Sequence, residues 1–243
     1  MSVQRSSLGG YTRNQNLISH TLETLGTAIV SGVYGIDNPL PFERDLHKQF
    51  GTSRGTLREA IKMLTAKGLL GARPRLGTWV EPEENWNWLD PDVLRWLRSR
   101  NISNALLREL VEFRLAVEPA VAALAARSAT PEHIASIKRA LARLHAAEFG
   151  NDDRLDAEAA FHAAIVRAGA NRFHAQLGSV TKLALRLCIR QANCLRSDKR
   201  SDIVDYERIV SAIVARDATE AQSALYAIIR QSLDLIDRGA PQG

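Results

Sequence analysis

Cysteine is scarce in this 243-residue chain, and the two present, Cys188 and Cys194, lie six apart within one helical pattern. That spacing turns them to different faces, so they are expected neither to pair nor to share a metal ion, and free thiols fit a cytoplasmic protein. Long apolar runs are also missing. No stretch of about 18 apolar residues exists, so neither a membrane span nor a membrane partner is expected. The opening, MSVQRSSLGGYTRNQN, lacks the apolar core of a signal peptide and reads as a disordered arm over 1–15. Glycine thins out beyond residue 80, where only five of the 15 occur. No Ser/His/Asp constellation and no phosphate-cradling glycine loop is present, which argues against an enzyme.

What the chain does have is positive charge in one place. It carries 32 Lys+Arg against 27 Asp+Glu, a net of +5. Residues 1–80 hold ten basic and five acidic groups, whereas 81–243 hold 22 of each. The excess sits within 42–75 and points to an anionic partner for that segment. On charge alone, a solvated basic surface is the alternative.

The same segment has a shape. An amphipathic helix is expected over 16–33, with Leu17, Leu22, Leu25, Ile29 and Val30 toward a core. A second helix over 42–49 turns Leu46 and Phe50 inward. Gly51-Thr52-Ser53 then makes a tight turn in which Ser53 or Thr52 caps a third helix over 54–67. There Leu57, Ile61 and Leu64 form an apolar stripe, and Arg54, Arg58 and Lys62 a basic one. Gly68 ends the helix, and 69–80 reads as two short strands around Arg73-Pro74-Arg75-Leu76-Gly77. A recognition helix needs one buried face and an N-terminus free to reach base edges. Arg54, Thr56 and Arg58 are placed for bases, with Ser53 and Gly55 at the close approach. Arg44, Arg73 and Arg75 suit phosphates or the adjacent minor groove.

The run LPFERDLHKQFGTSRGTLREAIKMLTAKGLL, followed by a wing ending in GTWV, resembles the winged helix-turn-helix of GntR-type bacterial transcription regulators. Glu43, Arg44, Leu46, Ser53, Arg54, Arg58, Glu59, Ala60, Leu64, Gly68, Leu69, Gly77 and Thr78 keep the pattern. Gly55-Thr56 and the wing tip Pro74-Arg75-Leu76 depart from it. The resemblance implies sequence-specific binding to duplex operator DNA.

Between 82 and 103 lies an aromatic segment, with WNWLDPDVLRWL holding Trp86, Trp88 and Trp96. It reads as a linker that packs one region onto the other. From 104 to 238, Ala- and Leu-rich sequence predicts an all-helical bundle, with helices near 104–127, 131–148, 152–169, 172–196, 201–215 and 218–237. Thr130-Pro131 looks like an N-cap followed by proline at the first helical position. The fold class is thus mainly α with a two-stranded wing: residues 16–81 form the winged DNA-binding domain, and 104–238 an all-helical bundle.

That bundle resembles the FCD effector domain of the FadR-like subfamily, on Glu112-Phe113-Arg114, Glu118-Pro119, Glu158-x-x-Phe161-His162 and Gly169-Ala170-Asn171. The resemblance implies that 104–238 serves effector binding and dimerisation. The linker resembles that of members responding to sugar acids such as galactonate. Many members hold a divalent metal, zinc or nickel, with one Asp and three His. Here Glu158 stands in the Asp position and His162 matches, while Tyr206 and Ile228 fill the remaining two. The resemblance therefore implies either an incomplete metal site at Glu158 and His162, or direct contact of those two with a small carboxylate effector. Arg114, Arg186 and Arg190 could supply counter-charge and Tyr206 a hydroxyl. Salt bridges from these arginines to Glu112 or Glu118 are the alternative. The expected function is a homodimeric, metabolite-responsive regulator of operator DNA, such as a repressor. A DNA-binding protein without a working sensor, or an enzyme acting on a sugar acid, are the competing readings.

Overall fold

The computed structural model describes residues 6–73, 77–176, 178, 181–182, 185–187 and 203–239, with side chains from 15 onward. The wing tip with Arg75, and Arg190, Cys188 and Cys194, lie outside the described residues. The chain divides into two compact units, Met1–Asn101 and Ile102–Gly243.

In the first unit, α1 (Ser6–Val30) packs on α3 (Arg54–Ala66), as do α2 (Glu43–Gln49) and β1 (Leu70–Arg73). Leu22, Leu25, Ile29 and Val30 of α1 meet Leu46 of α2 and Leu57, Ile61 and Leu64 of α3 in one buried core. Each such side chain removed from water contributes about 1.5–3 kcal/mol. Leu17, expected in that core, is instead 42% exposed. The helix begins at Ser6. Once the buried face nucleates α1, each added residue gains one hydrogen bond, and the polar start is carried along.

A capping pair bounds α3. At its start, Ser53 Oγ accepts from the Thr56 backbone N–H at 3.1 Å. At its end, Gly68 adopts φ +76°, and the N–H groups of Gly68 and Leu69 donate to Thr65 O at 3.0 Å and Leu64 O at 3.1 Å. This is the Schellman arrangement, closed by the buried Leu64 and Leu69. β1 then pairs antiparallel with β2 (Gly77–Val80), with Leu70 opposite Val80 and Arg73 opposite Gly77.

Most of the aromatic segment, through Asn101, lies within the first unit. After a short turn at Glu83–Asn85, the six-residue α4 (Pro91–Trp96) packs on α1. Trp96 is buried, and its indole covers Gly26 so closely that a Cβ there would lie 2.5 Å from the ring. Trp96 Nε1 donates to Glu23 at 2.8 Å. Trp86 is also buried and donates to the Glu81 carbonyl at 2.9 Å. Lys67, just past α3, bonds Asp90 at 2.9 Å and Asp92 at 2.7 Å, while its carbonyl accepts from Asn87 N–H. Sequence reading missed these contacts because the acidic partners lie more than 20 residues from Lys67.

The second unit is helical among the described residues: α5 (Asn104–Ser128), α6 (Pro131–Glu148), α7 (Arg154–Ala168), α8 (Ile203–Val214) and α9 (Ala218–Gly239), with further helical backbone at 172–176. α5 packs along α9, α6 along α7, and α8 touches α5, α6 and α9. Leu107, Val111, Leu144, Phe161, Ile209, Leu225 and Ile229 are buried between them. Thr130 caps α6 with a reciprocal His133 contact, and Pro131 takes the first helical position. Asp153 caps α7 by accepting from Asp156 N–H at 2.7 Å.

Candidate nucleic-acid interface and buried polar clusters

The exposed side of α3 carries Arg54, Arg58 and Lys62, opposite the buried Leu57, Ile61 and Leu64. Between α2 and α3 lies a depression of about 220 Å³ lined by Glu43, Arg44, His47, Arg54, Leu57 and Arg58. Four of those six residues are basic or imidazole, so the depression is an anion-seeking surface. Glu43 Oε2 lies 3.6 Å from Arg58 Nε and aligns that guanidinium without burying it. Exposed pairs like this are worth little, so the guanidinium is available to an anion at small cost. Arg44 is exposed; its neighbour Asp45 lies at 3.4 Å and the Phe42 ring 5.5 Å away. Arg73 stacks over Trp79 at 5.9 Å on the wing, which stiffens a long side chain at the strand end. Gly55 is exposed, and a Cβ there would meet only Ser53 Oγ at 3.7 Å.

Thr56 corrects the sequence reading. It is 3% exposed, and its hydroxyl lies 2.9 Å from Ser53 Oγ. The third helical position turns back over the cap, so Thr56 holds the start of α3 rather than facing a base. Ser53 is exposed, but its hydroxyl is committed to the same cap. His47 lines the same depression without having been expected; its place at the end of α2, one turn from Arg44, was the available signal.

In the second unit the polar candidates fall into two clusters. Arg114, on α5, is 2% exposed. Its Nε donates to Glu118 Oε1 at 2.7 Å and its Nη2 to Oε2 at 3.5 Å. Glu118 Oε2 lies 2.6 Å from His162 Nδ1 on α7. Burial alone would push the Glu118 carboxyl up, but the charges and hydrogen bonds of Arg114 and His162 win and hold it at about 2. Arg114 is therefore engaged by Glu118, the alternative the sequence left open.

The second cluster centres on Arg154, which sequence reading passed over. Its Nε donates to Glu158 Oε1 at 2.7 Å, and its Nη1 lies 3.5 Å from Glu148. Its guanidinium lies 5.7 Å from the centroid of the Tyr206 ring. Burial works against the charge, but Glu158 and Tyr206 outweigh it and raise the Arg154 pKa. The signal was legible: Arg154, Glu158 and His162 recur at i, i+4 and i+8, one face of α7. Phe161 packs edge-on against Tyr206 at 5.2 Å and links the two clusters. Arg186 pairs with Asp156 rather than joining either cluster. Its buried Nε has no hydrogen-bond partner among the described residues.

These residues do not fit a metal ion. Glu158 is committed to a guanidinium, His162 Nδ1 to Glu118, and Ile228 is a buried hydrocarbon. Among the described residues no group of three His, Cys, Asp or Glu converges as a metal site needs.

Comparisons with known proteins agree with this division of the chain. Residues 17–80 match the model of bacterial regulatory proteins of the gntR family, and 109–231 match the FCD domain. The chain is 33% identical to the HTH-type transcriptional regulator YieP of Escherichia coli K12, over 89% of this chain and 94% of that protein. It is 31% identical to the galactonate operon transcriptional repressor of the same organism, over 86% and 92%. Among solved structures, the Listeria monocytogenes protein Lar superposes with a TM-score of 0.59 at 15% identity, covering 92% of this chain and 97% of that one, a likeness of fold. The exposed basic stripe of α3, the antiparallel wing and the helical FCD unit thus make this chain a member of the GntR family of bacterial regulatory proteins: a DNA-binding transcription regulator with an FCD effector domain, and not an enzyme.

Proposed function

We propose that the protein is a cytoplasmic homodimeric repressor that sets two copies of α3 on a pseudo-palindromic operator and releases it when a small carboxylate, of the sugar-acid class, binds the FCD unit. The carrying observation is the two-faced α3, with Leu57, Ile61 and Leu64 buried and Arg54 and Arg58 exposed beside Arg44. A closed dimer presents such a helix twice, and operator symmetry mirrors it. The effector class is supported by Arg114, buried in the FCD unit, and by the similarity to a galactonate operon repressor. An effector that prefers one arrangement of the dimer shifts the population toward it and changes operator affinity.

Operator duplexes selected from random sequence, followed by anisotropy titration, test both halves. Selection is expected to return an inverted repeat, and Arg58→Ala to weaken binding by about 1–3 kcal/mol with relaxed preference at one position per half-site. Galactonate or a related sugar acid is expected to lower affinity for the selected duplex. Wild-type affinity in Arg58→Ala would remove that residue from the interface. The internal pairing of Arg114 with Glu118 and of Glu158 with Arg154 favours a second reading, a regulator whose sensor no longer answers any acid. Operator affinity unmoved by every acid tested would select it.

A further inference from the structure

We propose that His47 is a phosphate contact of the operator complex, and that its imidazolium makes operator affinity rise as pH falls toward 6. The proposal deepens the reading of α2 and α3 as the face that meets DNA, and it rests on that reading.

The depression between α2 and α3 is walled by two pairs of side chains. Arg44 and His47 come from α2, and Arg54 and Arg58 from α3. Residues three or four apart on a helix are neighbours, with Cβ atoms about 5–6 Å apart, so each pair can close over one anion. Leu57 and Glu43 complete the lining, and Glu43 lies 3.6 Å from Arg58. Three guanidiniums against one carboxylate leave the depression positive before the imidazole is counted. An anion is the ligand that such a balance attracts.

In a helix-turn-helix the second helix lies in the major groove while the first crosses the backbone of the duplex. Here α3 is the second helix, so α2 supplies backbone contacts. Arg44 and His47 are then the pair over a phosphate, and Arg54 and Arg58 the pair over bases. Lys48, next along α2, does not line the depression. His47 is half-buried in the last turn of α2, and its backbone carbonyl accepts from Thr52 N–H at 3.1 Å. The turn between the two helices thus fixes where the imidazole stands.

A guanidinium at this place would hold its charge at every pH. An imidazole changes charge between pH 5 and 8, ordinarily near 6.5. The neutral ring offers one N–H to a phosphate oxygen, whereas the cation offers two and adds a full charge. A phosphate beside the ring favours the charged form, so binding takes up a proton wherever the free ring is neutral. Acid therefore strengthens operator binding and alkali weakens it. The charged groups that face the ring are Glu43 and Arg44 on α2, and Arg54 and Arg58 on α3. Carboxylates and guanidiniums ordinarily titrate outside pH 6–8, so the imidazole is the group in the depression that changes charge there.

Anisotropy titration of the full-length protein on the selected operator duplex, at pH 6, 7 and 8 and fixed ionic strength, tests this. Wild-type affinity is expected to rise roughly fivefold or more from pH 8 to pH 6. His47→Gln, which keeps an N–H donor and cannot titrate, is expected to bind with nearly constant affinity. His47→Lys, charged throughout, is expected to keep at pH 8 the affinity it has at pH 6. The salt slope is a readout that a structural role would not move. For the wild type it is expected to be steeper at pH 6 than at pH 8 by about one per protomer, and for His47→Gln equal at both. Melting points at each pH separate affinity from folding. Should His47→Gln melt below the assay temperature, His47→Lys and the wild type's own salt slopes still decide. A His47→Gln protein that keeps the wild-type pH dependence overturns the proposal, because another histidine then carries it. So does a wild type without pH dependence. A variant whose melting point falls while its affinity holds also overturns it, confining His47 to stabilising the end of α2. If Arg44→Ala and Arg58→Ala then bind as the wild type does, the reading of this face fails as well; if they weaken binding, the proposal fails alone.

Discussion

A carboxylate shut away from water keeps its charge only where partners outbid the lost hydration, and Glu118 is such a group. Its folded pKa, about 2, lies below the ordinary 4.5. Folding is therefore favoured where the carboxyl is ionised. The contribution is whole above pH 4.5, declines as pH falls toward 2, and is gone below that. A shift of this size is on the order of 2–3 kcal/mol. Chemical denaturation at steps from pH 6 to 2.5 should show the wild type losing that much more stability than Glu118→Gln, whose amide does not titrate there. Equal losses would mean that Arg114 and His162 do not hold the charge. At this scale the sequence was partly legible. The i, i+4 spacing of Arg114 and Glu118 left their pairing open as one alternative, whereas His162 comes from 44 residues away and only the packing of α5 on α7 brings it in. Thr56 shows the opposite failure. Its residue type suited a base edge, but the geometry of the cap turned it inward.

Elements were easier to read than their neighbours. The caps of α3 and α6 stood in the sequence as Ser53 and Thr130-Pro131, because capping is a local event among adjacent backbone groups. What could not be read was that 82–101 folds onto α1 and the end of α3, since that depends on shape fit between distant segments. Gly26 tests this fit. A methyl placed 2.5 Å from the Trp96 ring forces α1 and α4 apart, so Gly26→Ala should cost about 1–3 kcal/mol by calorimetry. An exposed helical glycine would instead gain stability on the same change, because alanine is the better helix former. Increased stability would therefore show that Trp96 does not rest on Gly26.

For the whole molecule, the consequence of charge concentration is ionic. All of the excess positive charge lies in 1–80, and the remainder is neutral. Operator affinity should therefore fall steeply with salt through the first unit alone, with a slope near −0.9 per neutralised phosphate. Arg44→Ala should flatten that slope by about one per protomer while leaving sequence preference unchanged, in contrast to Arg58→Ala. Anisotropy titrations from 50 to 300 mM KCl decide it, and an unchanged slope would detach Arg44 from the phosphates.

The tryptophans add an optical consequence. All four, Trp79, Trp86, Trp88 and Trp96, lie in the first unit, and the second contains none. Emission excited at 295 nm is therefore blind to the FCD unit and sees only the DNA-binding one. A small acid held by the FCD unit alone can change that emission only by altering the first unit. The chain thus carries an intrinsic gauge of communication between its halves, readable without any attached dye.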